Sequence, residues 1–520
     1  MSATSRQTGS APGTSAGIAA ATQAPPPRRL GLALAVIATA QLMVVLDATI
    51  VNIALPHAQA ALGFSNGDRQ WIVTGYSLAF GSLLLLGGRI ADLFGRKRVF
   101  LIGVVGFAAA SAFGGAAQNF GMLLTGRVIQ GAFGALLAPA TLSLLTTTFT
   151  SPAERGKATG IYGGIAGAGA SVGLLLGGVL TEYLDWRWVM YVNVVIAVIA
   201  FAGGVTLLRH VTSAQRPRLD LVGTVLAGLG LFSLVYGFSH VSMAPGSTGW
   251  TQPVTLVTLI GGAVLLALFV VAERRVAHPL LPLRVIGDRN RAGAYLAMFL
   301  AAIGMFGVFL FLTYYLEDTL AYSAVKTGAA FLPLTLILVV VAAGGNTILL
   351  SRVSARALVP SGLALAAVGM ALLSRIGLHA NYAADVLPTL LVVGFGLGLV
   401  FAPAFTLGTL GVDRDDAGVA SATINVAQQI GGSIGTSLLN TIAATAAAGY
   451  VAAHAASVAS AASAAGRQLV VANSLIHSYH VVFWVAAGIY VGAAVLTALL
   501  LRPGVALPSG ADSEVAAVHA

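Results

Sequence analysis

The sequence predicts an all-α integral membrane protein with 14 membrane-spanning helices. Hydrophobic residues make up 57% of the 520 positions, charged residues only 8%, and the mean hydropathy is +0.90. Soluble globular domains instead contain roughly 45–50% apolar and about 25% charged residues. Fourteen apolar segments of about 20 residues fill most of the chain, so only short loops and two tails remain. Little of the chain is left for a soluble catalytic domain.

The apolar runs between the charged segments define the helices in chain order. Each run is long enough to cross the hydrocarbon core of a bilayer, which takes about 20 residues. The run after Arg29 is too long for the core of a signal peptide, so it predicts a retained first helix. The predicted helices are 31–55, 70–90, 98–117, 121–148, 157–182, 187–208, 220–240, 253–272, 292–316, 327–350, 355–378, 386–410, 418–448 and 480–502.

The basic residues predict the orientation of the chain. Because the number of helices is even, both termini lie on one side of the membrane. Of the 27 Lys and Arg residues, 21 fall in the tails and loops of that side and five fall on the other. Basic residues concentrate on the cytoplasmic side, so we expect a multi-pass protein of the inner or plasma membrane with both termini in the cytoplasm. The same asymmetry explains the pI of about 10.1 without a nucleic-acid partner.

The order of the helices predicts a division into six, two and six. Residues 1–29, rich in Ser, Ala, Thr, Gly and Pro, predict a disordered cytoplasmic tail. An N-terminal six-helix bundle would follow over 30–208, and a C-terminal six-helix bundle would occupy 292–502. Two linker helices with basic cytoplasmic flanks would fill 209–291, and 503–520 would form a second cytoplasmic tail.

Two ionisable residues are predicted to lie deep in the membrane: Asp47 in helix one and Arg127 in helix four. A charge at this depth costs at least about 2.5 kcal/mol on insertion scales, so it requires a partner or a function. Measured from the outer ends of their helices, Asp47 lies roughly 12 Å deep and Arg127 roughly 9 Å deep, so the two can face each other. Two interpretations stay open. The pair either joins two helices statically, or titrates and couples transport to protons, because protonation removes the charge of a carboxylate.

The segment 88–98 after helix two contains an acid, four bases and two glycines. Positive charge on the cytoplasmic side explains the bases but not the acid or the spaced glycines. Gly88 and Gly95 allow close backbone approach. Asp92 and Arg96 can make contacts that exist in one conformation and break in another. The segment therefore predicts a conformational latch.

Polar and aromatic residues within other helices are candidates for lining a substrate cavity. Each can also be an ordinary packing or interhelical hydrogen-bonding residue, and this alternative stays open. The glycines of helix five likewise favour either close helix packing or bending. The sequence has no Walker motif, metal-ligand cluster or nucleophile elbow, so it provides no support for ATP-driven pumping, an enzyme or a cofactor. The candidate cavity residues are Gln41, Tyr76, Gln130, Phe306, Tyr314, Phe401, Asn425, Gln428 and Gln429.

Several of these segments resemble motifs of the major facilitator superfamily, in particular its 14-helix drug:proton antiporter branch. Residues 46–56 are similar to the helix-one signature of that branch, and 88–98 to the cytoplasmic loop motif of the superfamily. Residues 127–131 are similar to the helix-four motif, and 185–188, followed by Asn193, to the entry into helix six. The resemblance implies the major facilitator fold: two six-helix bundles plus two extra central helices.

By this resemblance, Asp47 and Arg127 would be coupling residues and the segment 88–98 a latch. The implied function is export of amphipathic or hydrophobic small molecules, including drugs and antibiotics, in exchange for protons, by a monomer that alternates access. Leu174 follows Gly173 where the antiporter branch usually has proline. Two alternatives therefore stay open: a facilitator or uptake symporter of a small metabolite, and a non-transporting membrane sensor. A single deep acid further predicts that neutral and singly charged substrates are preferred over dications.

Overall fold

A computed structural model of the chain describes residues 27–149, 152–208, 220–241, 246–276, 279–344, 353–412, 417–454 and 464–502. Every regular element within these segments is helical. The predicted N-terminal tail up to residue 26, the basic segment 209–219 and the predicted C-terminal tail lie outside the described residues.

Fourteen long helices lie in the described segments at the places that the sequence predicts, which confirms the predicted fold class. The connections also contain short helical segments: the 3₁₀ helix Gly246–Thr251, the π-helical turns Tyr315–Thr319 and Tyr382–Val386, and the α-helical turn Leu283–Gly287. The helices are α1 Pro27–Leu62, α2 Asn66–Phe94, α3 Arg96–Gly115, α4 Phe120–Thr148, α5 Pro152–Tyr183, α6 Trp188–Leu207, α7 Leu221–Val241, α8 Pro253–Glu273, α9 Arg289–Tyr314, α10 in two pieces (Ala324–Ala330 and Leu332–Gly344), α11 Ala355–Leu373, α12 Leu387–Thr409, α13 Ala417–Ala453 and α14 Ala464–Leu500.

Two helices extend well past the predicted ends. α1 continues through Pro56 to Leu62, although a proline usually stops a helix because it removes one backbone hydrogen bond. Membrane helices tolerate such a proline when their neighbours hold the backbone in place. α14 begins at Ala464 rather than at residue 480, because five of its first six residues are the good helix formers Ala, Arg, Gln and Leu, although this start is not strongly apolar. Its 37 residues span about 55 Å, well beyond a hydrocarbon core of about 30 Å.

Side-chain caps fix where several helices begin. At the start of α2, the Ser65 hydroxyl accepts from the backbone N–H of Asp68, and the Asp68 carboxylate accepts from the backbone N–H of Ser65. Asn119 Oδ1 accepts from the N–H of Met122 at 2.9 Å at the start of α4. Asp288 caps the first turn of α9 in the same way. These caps satisfy N–H groups that have no partner within the helix and so determine the residue at which each helix begins.

Helices α1–α6 pack against one another, as do α9–α14, and α7 and α8 form a pair. α7 lies against both α2 and α13, and so covers one side of the contact between the two groups. On the other side, α5 packs directly against α10.

Most of the helices are long and apolar enough to span a membrane. Over the described residues, 11 helices meet this criterion by length and composition. α2 and α13 pack against each other, so part of their surface faces protein rather than lipid.

The apolar core of α9–α14 continues into the outer half of α1–α6, so the two six-helix groups share it at one end of the molecule. This end contains the connections near residues 62–66, 115–120 and 314–324, and is called the outer face because the basic residues predict that it lies outside the cell. The shared core joins Ile53 of α1 with Tyr315 and Phe331 near α9 and α10. A separate core, with Ile37 and Phe100, lies within the inner half of α1–α6.

Polar contacts also join the two groups at the outer face. Arg69 at the start of α2 lies 3.7 Å from the carboxylate of Asp318, just after α9, and its guanidinium stacks 4.3 Å from the ring centre of Tyr314. Glu182 at the end of α5 accepts a 2.9 Å hydrogen bond from the backbone N–H of Val325 in α10. The outer face is therefore closed in this conformation.

Candidate functional site

Asp47 and Arg127 form a buried ion pair between α1 and α4. Arg127 Nη1 donates to Asp47 Oδ2 at 2.6 Å, and the two side chains are 0% and 1% exposed. The guanidinium also donates through Nε to the backbone carbonyl of Ile72 at 3.2 Å and stacks 4.3 Å from the ring centre of Tyr76. The structure thus brings together the two deep charges that the sequence singles out.

Two amide side chains complete the surroundings of the Asp47 carboxylate. Gln130 Nε2, one turn beyond Arg127, donates to Asp47 Oδ1 at 2.7 Å, and Asn193 Nδ2 of α6 donates to the same oxygen at 2.8 Å. Both amides also donate to the hydroxyl of Ser111 in α3. Gln130 Oε1 in turn accepts from Arg127 Nη1 at 2.7 Å. The carboxylate therefore receives three donors from α4 and α6, which is the surrounding that an ionised group needs away from water.

This arrangement can respond to the loss of one charge. If Asp47 takes up a proton, its attraction for Arg127 falls, yet the guanidinium keeps the Gln130 oxygen, the Ile72 carbonyl and the Tyr76 ring as partners. Breaking a buried ion pair normally costs about 3–5 kcal/mol, because one charge is left without compensation. The remaining partners reduce that cost, so α1 can separate from α4 while the Arg127 guanidinium keeps hydrogen-bond acceptors.

Close contact with α5 holds the part of α1 that carries Asp47. A Cβ atom on Gly173 would overlap the Thr49 hydroxyl and lie 3.1 Å from the Leu46 carbonyl, so only glycine fits this crossing. Leu174, where the antiporter branch usually has proline, is fully buried at the contact between α5 and α10. The glycines at 169, 173 and 177 all face α1, which supports the packing interpretation in this conformation.

The predicted latch lies at the turn between α2 and α3. Gly95 has φ = +92°, a conformation that side chains with a Cβ rarely adopt, and so allows the two helices to meet directly. Gly88 lies in the last turns of α2, and a Cβ there would be 3.6 Å from Pro139 of α4. Arg96 begins α3 and is partly buried. The side chain of Asp92 lies outside the described residues, so its role as a latch residue stays a prediction.

Two other bases of the same segment make the contacts that the structure does describe. Arg89 Nη2 donates to the backbone carbonyl of Pro279 at 2.6 Å, which ties the end of α2 to the connection between α8 and α9. Lys97 Nζ donates to the carbonyls of Val205 and Leu208, where it caps the end of α6. Nothing in the sequence pattern distinguishes these two bases from their neighbours.

Three of the candidate cavity residues are enclosed by protein around the ion pair or at the outer face. Tyr76 and Gln130 belong to the surroundings of the ion pair and are 1% and 0% exposed, and Tyr314 lies under Arg69 at the outer face and is 8% exposed. In this conformation they do not face an open space. Their role in lining a cavity stays a prediction about another state.

The other candidate cavity residues lie on α1, α9, α12 and α13. Gln41 Oε1 accepts a 2.6 Å hydrogen bond from the Tyr162 hydroxyl of α5, which also lies 3.0 Å from the Thr141 hydroxyl of α4. Gln429 lies opposite Gly81 of α2, and its Oε1 has no hydrogen-bond partner among the described residues. The remaining candidates, partly buried in α9, α12 and α13, are Phe306, Phe401, Asn425 and Gln428.

Ser111, Asn193 and Tyr162 are site residues to which the sequence analysis assigned no role. Depth is the signal that could have identified two of them. Ser111 lies four residues from the outer end of α3 and Asn193 five residues from that of α6, roughly 6 and 8 Å deep, close to the depth inferred for Arg127. Polar groups at matching depths in neighbouring apolar helices are expected to pair.

Comparisons with known proteins agree with this architecture. A family model described as Major Facilitator Superfamily matches residues 37–436. The chain is 46% identical over 487 residues to the puromycin resistance protein pur8 of Streptomyces alboniger, with 93% of each chain covered. It is 38% identical over 420 residues to the cephamycin export protein CmcT of Amycolatopsis lactamdurans, covering 80% of this chain and 86% of that one.

A solved structure of a bacterial homolog of the human lysosomal transporter Spinster, in an inward-facing and occupied conformation, has a similar fold. The TM-score is 0.60 at 17% sequence identity, and the match covers 92% of this chain and 100% of that one. At this identity the likeness concerns the fold alone.

Proposed function

The chain belongs to the Major Facilitator Superfamily, and on that premise we propose that it exports antibiotic-like small molecules across the cell membrane in exchange for protons. The observation that carries the export function is the similarity to a puromycin resistance protein over nearly the whole length of both chains. The cephamycin export protein supports the same direction of transport. We therefore propose amphipathic or hydrophobic small molecules as substrates, handled by a secondary transporter rather than by an enzyme.

The Asp47–Arg127 pair supports proton coupling. It is the one described ion pair in which both side chains are fully buried, and the carboxylate is held by donors from two other helices. A proton that binds here removes a charge at a contact between α1 and α4, and so changes the packing of α1. In exchange, protonation from outside would favour the return to the inward-facing state, and release of the proton into the cytoplasm would complete the cycle.

The closed outer face supports a cycle of alternating access. We propose that the bundles of residues 30–208 and 292–502 rock against each other, with the linker helices of 209–291 at their side. In this conformation the outer side is sealed by apolar packing, by Arg69 with Asp318 and by Glu182 with Val325. Leu174 lies in the α5–α10 contact rather than at the ion pair. We therefore expect leucine in place of the usual proline to affect the motion of the two bundles and not the binding of a proton to Asp47. We propose that a single chain suffices for this cycle.

Transport in inside-out membrane vesicles tests the proposal. Puromycin should accumulate in vesicles with an acidic lumen and leave when the pH gradient is collapsed. Asp47→Asn keeps the shape of the side chain but cannot exchange a proton, so it should abolish accumulation while substrate counterflow continues. Asp185→Asn, at an exposed acid of the α5–α6 connection, is the matched control and should transport normally. Accumulation that is equal with and without the gradient would contradict proton coupling.

The proposed orientation has a separate test. With both termini in the cytoplasm, reporter fusions after Gln118, Gly246 and Ser463 should all report the outside of the cell. A cytoplasmic signal from any one of them would contradict the 14-helix topology.

A further inference from the structure

The carbonyl oxygen of Asn193 is a buried polar atom without a partner, beside the proposed proton site. The side chain is 0% exposed, and its Nδ2 donates to both Asp47 Oδ1 and Ser111 Oγ. Its Oδ1 makes no hydrogen bond among the described residues. Buried carbonyl groups are almost always paired, so this exception requires an explanation.

When Asp47 is protonated, its new O–H group requires a hydrogen-bond acceptor that its present neighbours do not provide. A carboxylate only accepts hydrogen bonds, whereas a protonated carboxyl also carries an O–H that must donate. Every side-chain contact of Asp47 is at present with a donor: Arg127 Nη1, Gln130 Nε2 and Asn193 Nδ2. Arginine cannot accept a hydrogen bond. In the neutral state one of the two amides therefore has to turn its oxygen towards Asp47.

Of the two amides, only Asn193 can turn without breaking a charged hydrogen bond. The oxygen of Gln130 already accepts from Arg127 Nη1 at 2.7 Å, so turning it would put two donors face to face. The oxygen of Asn193 has no bond to lose, and the two bonds that its Nδ2 gives up are to a carboxyl that is then neutral and to a hydroxyl. Rotation of its carboxamide by half a turn exchanges oxygen and nitrogen within nearly the same volume. Asn193 Oδ1 could then accept from the Asp47 O–H and from the Ser111 hydroxyl, which has its own proton to donate.

We propose that Asn193 is a positioning residue whose carboxamide rotates each time Asp47 gains or loses its proton, so that both charge states of Asp47 stay hydrogen-bonded. The inference rests on the proposed function, because it assumes that Asp47 exchanges protons. The proton comes from water and ends on Asp47 Oδ1, and no other bond is made or broken covalently. Ser111 takes part by accepting in one state and donating in the other.

No other described charged group competes for this role. On the helices packed against α1, the groups that face Asp47 are Arg127 and, behind its guanidinium, Tyr76. Tyr162 of α5 contacts Gln41 instead, and Tyr191 of α6 packs beside Gly115.

Infrared difference spectroscopy tests the rotation directly. The purified protein is reconstituted in lipid, and spectra at acidic and neutral pH are subtracted, with and without asparagine carrying ¹³C in its carboxamide. A carbonyl that gains hydrogen bonds absorbs at lower frequency. We expect a protonated-carboxyl band that is lost in Asp47→Asn, and with it a ¹³C-sensitive asparagine carbonyl band that is lost in both Asp47→Asn and Asn193→Leu.

The possible outcomes separate this inference from the proposed function. A titrating carboxyl band without any ¹³C-sensitive asparagine band would overturn the rotation and leave proton coupling intact. If no carboxyl band depends on Asp47, both proposals fail. The wild-type spectra and Asp47→Asn distinguish these outcomes even if Asn193→Leu does not fold.

A transport measurement adds a functional readout. The leucine side chain in Asn193→Leu has nearly the shape of asparagine but neither donates nor accepts a hydrogen bond. The variant should therefore slow proton-driven exchange about tenfold, the factor that corresponds to the free energy of one buried hydrogen bond. Puromycin counterflow, which needs no change in the protonation of Asp47, should remain within about twofold of wild type. Equal losses in both assays would mean that Asn193 acts only on the fold, which would overturn the proposal.

Discussion

The ion pair at the outer face offers a quantitative prediction about the conformational equilibrium. Asp318→Asn removes the charge that joins the end of α9 to Arg69 of α2, at a distance of 3.7 Å. The Asp318 side chain is 41% exposed, so water and salt screen the pair, and its contribution is about 0.5–1 kcal/mol. Because this contact exists only while the outer face is closed, its loss should raise the outward-open population roughly two- to fivefold.

The chain contains no cysteine, which provides a clean assay for this prediction. Ser437 of α13 is fully buried and lies 3.5 Å from the Thr74 hydroxyl of α2, across the contact between the two bundles. A single Ser437→Cys reporter should react with a membrane-impermeant maleimide only when the outer face opens. Adding Asp318→Asn should accelerate the labelling roughly two- to fivefold, to the extent that the open population grows.

Control variants distinguish opening of the outer face from a local loosening of the structure. Asp185→Asn removes an acid whose described partner, Arg187, lies in the same connection, so it should leave the labelling rate unchanged. Arg69→Gln removes both the ion pair and the stacking on Tyr314, and should accelerate labelling more than Asp318→Asn does. A labelling rate in Asp318→Asn equal to or below that of the reporter alone would refute the reasoning, because the pair would then not favour the closed state.

Three further predictions concern packing, rate and selectivity. Gly131→Ala should destabilise the protein by about 1–3 kcal/mol in thermal unfolding, because the new Cβ would overlap the Tyr76 carbonyl. Gly31→Ala, with nothing within 4 Å, is its control, and equal unfolding temperatures of the two variants would contradict the tight α2–α4 crossing. Replacing Asp92 or Arg96 should slow turnover with a smaller change in equilibrium puromycin binding, whereas an equal loss of binding would place the latch segment in the substrate site. In competition assays, singly charged lipophilic compounds should displace puromycin better than dications of similar size, and efficient transport of a dication would point to a second acid such as Asp318.

The sequence was sufficient to predict the fold class and the central ion pair. Both depend on large transfer free energies between water and hydrocarbon, of apolar helices in the first case and of charged side chains in the second. A charge in hydrocarbon is costly enough to require a partner, and helix depth alone brought Asp47 and Arg127 to the same level. The smaller groups around the pair could not be assigned in this way. Whether Gln130 faces a cavity or a carboxylate depends on the rotation of α4 about its axis, which hydropathy does not determine.

Long-range pairs and helix ends were the other features beyond the reach of the sequence. Arg69 appeared only as one of five bases on the outer side, and its partner Asp318 lies far along the chain in the other bundle. Residues 464–479 lay in an Ala/Ser-rich gap before the last predicted helix, which the sequence indicated to be external and partly helical, and they form the start of α14. Hydropathy measures the cost of entering lipid, whereas the first residues of this segment are good helix formers whatever their apolarity.

The apolar packing that closes the outer face has a consequence for the temperature dependence of transport. Opening this face separates Ile53 from Tyr315 and Phe331 and brings part of a shared apolar core into contact with water. Exposure of apolar surface to water raises the heat capacity. The equilibrium between the closed and open outer face should therefore vary with temperature along a curve rather than a straight line.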